Sequence, residues 1–407
     1  MLAALEDGVK GGVWFSLIDK VHSAKNLRSA FAEVKANRGT AGVDRQTIAM
    51  FEAHLDENLR HLEESLRDGS YRPKAIRRVY IPKPGKKELR PLGIPTVRDR
   101  VAQAAVRHVL EPIFERDFAE HSYGFRPGRG CKDALRQVDG LLKTGHTWVV
   151  DADLKSYFDT IPHKRLMDRV QAKVADGRLL GLIEAYLKQE VMDTAATWTP
   201  EEGSPQGAVL SPLLSNIYLD GLDHEMARLG YRMIRYADDF VVLCRSEQEA
   251  REALEKVGQW TAQAGLTLHP DKTRIVDATQ RGGFDFLGYH FERDHHWPSP
   301  KSIGKFREAI RHKTRRNNGH SLSQIITGVN KTLGGWFGYF KHSNKGTFRD
   351  VDGWVRRRLR SILRHRQRKR GCWWLCNNRR WPNAFFAAHG LFSLVTAHAA
   401  ICRPPPG

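Results

Sequence analysis

The 407-residue sequence predicts an α+β fold, with a small antiparallel sheet backed by helices, followed by an all-helical basic module. Three observations predict it. Two strand-like runs, 148–153 and 233–244, carry acids and are separated by helical segments, the pattern of an α+β domain. The character of the chain changes after about residue 295. The charge divides there too: residues 301–407 hold 23 Lys/Arg against Glu308, Asp350 and Asp352, whereas residues 1–300 hold 43 of each sign. The whole formal charge of +20 therefore sits in the last quarter. A concentrated basic module beside a neutral one points to a grip on a polyanion, since merely solvated faces usually mix signs.

Residues 1–36 read as a helical extension of mixed charge, and Asn37 to Asp44 as a turn-rich break. Glu57 to Arg67 is a polar helix stopped near Gly69, a residue type suited to a left-handed cap. Arg77 to Ile81 is strand-like and ends in Pro82; a basic turn, Lys83 to Lys87, leads to a return strand around Arg90, which makes a basic hairpin. Between Arg98 and Phe118, Val101, Ala105, Val109 and Ile113 recur at i, i+4, the stripe of a core-facing helix. Thr147 to Leu154 is a short β-branched strand, and 233–244 reads as strand, acidic turn, strand. Residues of about 163–190, 211–228 and 247–264 are helical, and Trp297 to Pro300 reads as a linker. Beyond it Val351, Val355, Leu359 and Ile362 form an apolar stripe. Arg356, Arg357, Arg358, Arg360, Arg364, Arg366 and Lys369 cover the remaining surface, making a basic amphipathic helix.

No run approaches the roughly eighteen apolar residues that a membrane span needs, and Met1 to Lys20 lacks the features of a signal peptide. Five scattered cysteines are no disulfide framework, and Cys372 with Cys376 lacks a second ligand pair for zinc. A cytoplasmic protein without membrane partners is expected.

The acids are the candidate chemistry. Asp238 and Asp239 stand in the turn of an apolar hairpin, where carboxylates are costly unless a cation offsets them. Period-2 alternation puts Asp151 and Asp153 on one face, and on spacing alone either could be a ligand. Phosphoryl transfer onto a primer hydroxyl needs two divalent metals held by a few carboxylates on rigid strands. An isolated Asp-Asp pair is more often an ordinary turn; the surrounding motifs decide.

Those motifs run in order: Arg90-Pro91-Leu92-Gly93-Ile94-Pro95-Thr96, Ser122 to Gly128 (SYGFRPG), Asp151 to Asp159 (DADLKSYFD), Gly203-Ser204-Pro205-Gln206-Gly207 continuing to Asn216, Tyr236-Ala237-Asp238-Asp239, Leu268 to Thr273 (LHPDKT), and Phe286-Leu287-Gly288-Tyr289. From about Asn37 onward the chain resembles the group II intron-encoded reverse transcriptases/maturases, of the bacterial type that lacks a C-terminal endonuclease. The resemblance implies a right-hand polymerase, with fingers and palm over 37–295 behind the 1–36 extension. A basic helical thumb/maturase domain follows over 296–407, where Leu333 to Phe340 and Phe385 to Leu394 are similar to the family's thumb region.

The resemblance also implies roles. Asp153, Asp238 and Asp239 are the catalytic set and, with the Leu154 carbonyl, the metal ligands for two Mg²⁺ ions, with Mn²⁺ as a substitute. Lys83 and Arg90, and Arg77 more weakly, clamp the incoming triphosphate, while Gln206 contacts the nucleotide. Phe158, which alone reads as core, is the ring under the sugar 2′ carbon. The basic helix residues above are the nucleic-acid grip. The implied partners are group II intron RNA, an RNA template with a DNA primer, deoxynucleoside triphosphates and a DNA target; homodimerisation is left open. The implied function is RNA-directed DNA polymerisation with assistance to splicing and retrohoming. The rival readings are an RNA-binding splicing cofactor with vestigial polymerisation and a host-adopted reverse transcriptase in defence or repair. Absence of endonuclease activity is a further expectation.

Overall fold

The computed structural model describes residues 12–82, 89–193, 196–367 and 378–402. They fall into two compact units that divide after Val276.

Among the described residues the first unit opens with four helices, α1 (Ile18–Val21), α2 (Ala24–Ala36), α3 (Ile48–Ala53) and α4 (Leu55–Asp68), the last stopped by Gly69 at φ 82°. Strands β1 (Ile76–Pro82) and β2 (Leu89–Ile94) form the basic hairpin, with Arg77 opposite Ile94 and Ile81 opposite Arg90. Helix α5 (Val97–Glu115) follows. In its first half the apolar stripe widens to most of the circumference, with Val101, Ala102, Ala104, Ala105 and Val106 all fully buried, while Arg107, His108, Glu111 and Glu115 keep a half-exposed face further along. Helix α6 (Cys131–Lys143) leads into β3 (Trp148–Asp153), then α7 (Tyr157–Thr160), α8 (His163–Gln171) and α9 (Gly177–Leu187). The single helix expected over 163–190 is thus two. Asp176 breaks it by accepting the Arg178 and Leu179 N–H groups as an N-cap, while its other oxygen takes those of Leu17 and Ile18.

Two short strands, β4 (Val191–Met192) and β5 (Thr197–Trp198), extend the hairpin to a four-stranded sheet of order β2-β1-β4-β5. Helix α10 (Ser211–Arg228) precedes the hairpin β6 (Arg232–Tyr236) and β7 (Asp239–Cys244), followed by α11 (Glu247–Gln263) and β8 (Arg274–Asp277). The second sheet runs β6-β7-β3-β8, with Val149, Val150, Val241 and Val242 buried in its two central strands. Burial on both faces is what makes these strands read as continuous apolar runs.

The second unit contains a three-stranded sheet, β9 (Phe284–Phe286), β10 (Tyr289–Glu292) and β11 (His295–Pro298), then helices α12 (Pro300–Lys313), α13 (Leu322–Phe340), α14 (Lys345–Arg366), α15 (Asn383–Ala388) and α16 (Leu394–Ile401). The stretch expected to be a linker is the end of β11 and the first turn of α12, whose Pro300 follows an N-cap Ser299 that accepts from Ser302 N–H. Ile310, Val329, Leu333, Phe348, Leu359 and Ile362 form this unit's own core. The expected stripe of α14 faces that core. No helix among the described residues is long and apolar enough to cross a membrane.

Candidate active site

The β6–β7 hairpin pairs Tyr236 with Asp239 and leaves Ala237 and Asp238 as its two-residue turn. Ala237 sits at φ 59°, the positive φ that a primed hairpin turn needs at its first central position, whereas Asp238 is not in the left-handed region. On the other side of β7, Asp153 is directly opposite Asp239, whereas Asp151 lies two residues back, opposite Val241. Spacing alone left the two strand acids equivalent, and the register separates them. Asp153 faces the turn acids, while Asp151 is held by Arg274 at 3.2 Å.

Like charges directly across a ladder repel. Three features bear on that repulsion. Burial pushes the Asp238 carboxyl above the usual carboxylate range and the charge of Asp153 adds to the push, while Arg90 and Arg235 oppose it. The Lys272 ammonium rests on the Asp153 carboxylate. The Leu154 carbonyl is free of hydrogen-bond donors among the described residues, because the adjoining bridge to Leu268 uses the Lys155 N–H and the Asp153 C=O instead. Among the described residues no three His, Cys, Asp or Glu side chains close around one point as a preformed metal cage. An open set of carboxylates beside a bare carbonyl is what Mg²⁺ tolerates, since it keeps waters and takes substrate phosphates as its remaining ligands.

A buried network holds this turn. Arg235, fully buried in β6, makes a bidentate pair with Asp223 of α10, with Nε at 2.8 Å from Oδ1. Its Nη1 donates to Asn216 Oδ1 at 3.0 Å and to the Ala237 carbonyl at 2.9 Å. Asn216 in turn donates Nδ2 to the Gly124 carbonyl at 2.8 Å. A Cβ on Gly124 would lie 2.2 Å from Ala237 N, so the SYGFRPG segment is pressed against the acidic turn in a way that excludes any side chain there. Arg126 of the same segment is buried on Glu115 and on the carbonyls of Ala119 and Ser122, which fixes the loop. Sequence reading gave no role to Arg235 or Asp223, nor to Lys272, which it named only as part of the LHPDKT motif. The available signal was an arginine and an aspartate at otherwise apolar positions of a buried strand and helix.

The second cluster borders a recess of about 310 Å³ lined by Phe158, Asp159, Arg78, Ser204 and Gln206 among others. Arg90 donates Nε to Gln206 Oε1 at 2.9 Å, and Gln206 donates Nε2 to Asp159 Oδ2 at 3.3 Å. Phe158 is half-buried against the buried Tyr157, ring centroids 5.4 Å apart, and its carbonyl accepts the Ser204 N–H. Gly203, at φ 89°, brings the motif so near that a Cβ would stand 2.8 Å from the Asp159 backbone. Arg77 lies elsewhere: its Nη2 donates to the Ala41 carbonyl at 2.6 Å. Arg78, on the other face of β1, lines the recess, with its guanidinium 4.9 Å from the Trp198 ring. Lys83 falls outside the described residues.

The basic residues of α14 divide. Arg360 is buried and donates to the Trp381 carbonyl and Asn383 Oδ1, both at 2.9 Å. Arg358 holds Thr314, Arg366 holds the Asn318 and His320 carbonyls, and Arg356 lies 3.7 Å from Asp352. Arg357 is exposed and Arg364 half-exposed, and Lys369 is outside the described residues.

Residues 81–291 match the family described as reverse transcriptase (RNA-dependent DNA polymerase), and residues 303–381 match the group II intron maturase-specific domain. The chain is 38% identical over 293 residues to protein YkfC of Escherichia coli (strain K12), covering 62% of this chain and 76% of that one. It is 38% identical over 208 residues to the group II intron-encoded protein LtrA of Lactococcus lactis subsp. cremoris, covering 51% and 34%. A 91 kDa protein in the cob intron of Schizosaccharomyces pombe is 29% identical over 310 residues, covering 61% and 38%. The chain thus spans three quarters of the first relative and little more than a third of the other two.

Proposed function

The chain belongs to the reverse transcriptase (RNA-dependent DNA polymerase) family, with a group II intron maturase-specific domain behind it, and on that premise we propose that it extends a DNA primer on an RNA template and binds a group II intron RNA to assist splicing and retrohoming. The observation that carries the polymerase reading is the register of β3 and β7, which sets Asp153 opposite Asp239 with Asp238 on the adjoining turn.

Family members generally use divalent metals. The residues here fit them: paired carboxylates, one held partly back from ionisation by burial, beside an uncommitted carbonyl. Asp153, Asp238, Asp239 and the Leu154 carbonyl would hold two Mg²⁺ ions, or Mn²⁺ in their place, which supply acidification of the primer hydroxyl and neutralisation of the leaving pyrophosphate. The chain's own groups do the rest. Arg90, together with Lys83 seven positions earlier in the chain, binds the triphosphate of the incoming deoxynucleotide, a fixed cation aimed where charge develops. Gln206 orients Arg90, anchored by Asp159. The Phe158 ring, wedged on Tyr157, occupies the space a 2′-hydroxyl needs. Lys272 must leave Asp153 when that carboxylate takes a cation.

The test is primer extension on an RNA template with Mg²⁺ and deoxynucleotides, comparing the wild type with an Asp238→Ala, Asp239→Ala double variant. Extension by the wild type that falls at least about 10³-fold in the variant is expected, since the two acids act as a unit. A folded wild type that extends no primed template would leave RNA binding as the function. The maturase reading is supported by the 303–381 match and by the concentration of net charge after residue 300.

A further inference from the structure

The end of α12 carries a group of arginines that the fold brings together and does not neutralise. Arg311 and His312 lie in its last turn, and Arg315 and Arg316 lie just beyond it. Arg358 reaches the same place from α14, donating Nε to Thr314 Oγ1 at 3.1 Å and Nη2 to the Thr314 carbonyl at 2.9 Å. Arg316 donates Nε to Ser361 Oγ at 3.0 Å. None of these arginines has a carboxylate partner among the described residues, and the acids of this part of the chain are few: Glu308, Asp350 and Asp352 are the only ones after residue 300. Together with Asn317, Asn318 and His312, the side chains of Arg315, Arg316 and Arg358 line an open recess of about 640 Å³.

A helix C-terminus attracts cations, which accounts for Arg311 and His312. It does not account for two arginines past the helix end and a third supplied by another helix. Like charges held this close repel. The Arg358 guanidinium is pushed below its ordinary range by burial, and Arg316 and Arg311 push it further. The recess is nevertheless built rather than loose. Thr314 is fully buried, and Asn318 is fixed by donating Nδ2 to the Lys313 carbonyl at 3.0 Å and accepting the His320 N–H at 2.9 Å. The ties use one edge of Arg358 and one nitrogen of Arg316. They leave Nη1 of Arg358, both amino groups of Arg316 and the whole exposed Arg315 fork without acceptors among the described residues. Guanidinium forks suit phosphate oxygens. The volume exceeds that of a lone phosphate, and the two asparagines and the histidine add donors and acceptors for an adjoining ribose.

We propose that this recess, formed by the α12–α13 loop and α14, is a binding site for the backbone phosphates of a folded RNA. The proposal rests on the RNA-binding reading given above and locates it. It also shifts the grip from a continuous helix face toward the loop, because Arg358, Arg360 and Arg366 are tied into the fold while Arg315 and Arg316 remain open.

The test measures binding of the full chain to a fluorescein-labelled RNA stem-loop of about forty nucleotides, from 50 to 300 mM KCl, with thermal melts of every variant as the folding control. Arg315→Ala removes an exposed side chain with no described tie, so folding is expected to persist; Arg316→Ala is the second variant. Each is expected to weaken binding about five- to tenfold near 0.1 M salt and to make the log K against log[salt] slope shallower by about one, the signature of one lost phosphate contact. Lys331→Ala, an exposed cation of α13 outside the recess, is expected to change neither. Equal losses for Lys331→Ala and Arg315→Ala would assign binding to diffuse charge and overturn the site. So would wild-type binding that both arginine variants retain unchanged, which would leave the RNA-binding reading intact. Binding of inorganic phosphate at low-millimolar concentration that Arg315→Ala and Arg316→Ala abolish, with stem-loop binding unchanged in both, would overturn the RNA site and assign the recess to a free anion. A wild type that binds no RNA at any salt would overturn the site and the reading together.

Discussion

Phe158 is wedged rather than free: its ring meets Tyr157 edge-on, and Tyr157 is itself pinned by a 2.8 Å bond from its hydroxyl to the Ser215 carbonyl. On the proposed reading a ring so held excludes a 2′-hydroxyl by shape, so Phe158→Ala is expected to lower discrimination against ribonucleotides by about one to two orders of magnitude in kcat/KM, read by single-nucleotide incorporation with matched rNTP and dNTP. Unchanged discrimination would return Phe158 to a purely structural role. The other residue to test is Lys272. On the same reading its ammonium competes with cations for Asp153, but it is half-exposed, so the competition is modest. Lys272→Ala is expected to lower the half-saturating Mg²⁺ concentration about two- to fivefold, whatever happens to kcat. A rise in that concentration would mean that Lys272 helps to assemble the acids rather than screening them. At this scale the sequence was informative where candidate groups lie in contiguous motifs: Asp153, Asp238, Asp239, Arg90 and Gln206 all stand in short signatures, and the fold brings them into the two clusters described. It was uninformative where a partner arrives from far away. Lys272 meets Asp153 across 119 residues, and which of Arg77 and Arg78 faces the recess depends on strand register, which adjacency in sequence does not report.

At the scale of elements, the acidic turn is positioned from behind. The β6–β7 hairpin and the central α5 helix were legible from apolar spacing and from acids bracketed by buried runs. The two short strands β4 and β5 and the β9–β11 sheet were not. Two residues show no period, and in the second case the Trp297 to Pro300 composition resembles a linker although hydrogen bonds make it a strand end. The contact of the SYGFRPG segment with the turn was equally invisible, since Gly124 has no unusual φ to mark it; only space requires it. That contact can be tested directly. In Gly124→Ala the new methyl carbon meets backbone atoms, Ala237 N at 2.2 Å and the Tyr236 carbonyl carbon at 2.9 Å, and backbone cannot rotate away as a side chain can. The turn must move, and displacement of about 1 Å in a catalytic constellation typically lowers rate about 10²-fold. The expected outcome is a loss of that order in single-turnover extension at saturating substrates, with overpacking lowering stability by about 1–3 kcal/mol in urea unfolding. A destabilised protein that still extends at the wild-type rate would show that the acids tolerate the shift.

Over the whole molecule, charge is divided by task. Residues 1–300 balance 43 cations against 43 acids, so the region that holds Asp153, Asp238 and Asp239 carries no net charge, and the excess charge that attracts a polyanion at long range lies in residues 301–407. Counterion release makes such attraction steeply dependent on salt, whereas pairs in a partly buried site are screened much less. The two tasks should therefore separate in kinetics. Between 50 and 200 mM KCl the KM for template-primer is expected to rise about 10³-fold or more if six or more phosphates are engaged, while kcat measured at saturating template-primer changes little. Steady-state extension across that range, with template-primer varied at each salt, reads both quantities from one series. A kcat that fell in step with affinity would mean that the basic region takes part in the chemical step itself, and that the even balance of the first three hundred residues does not mark a separation of binding from catalysis.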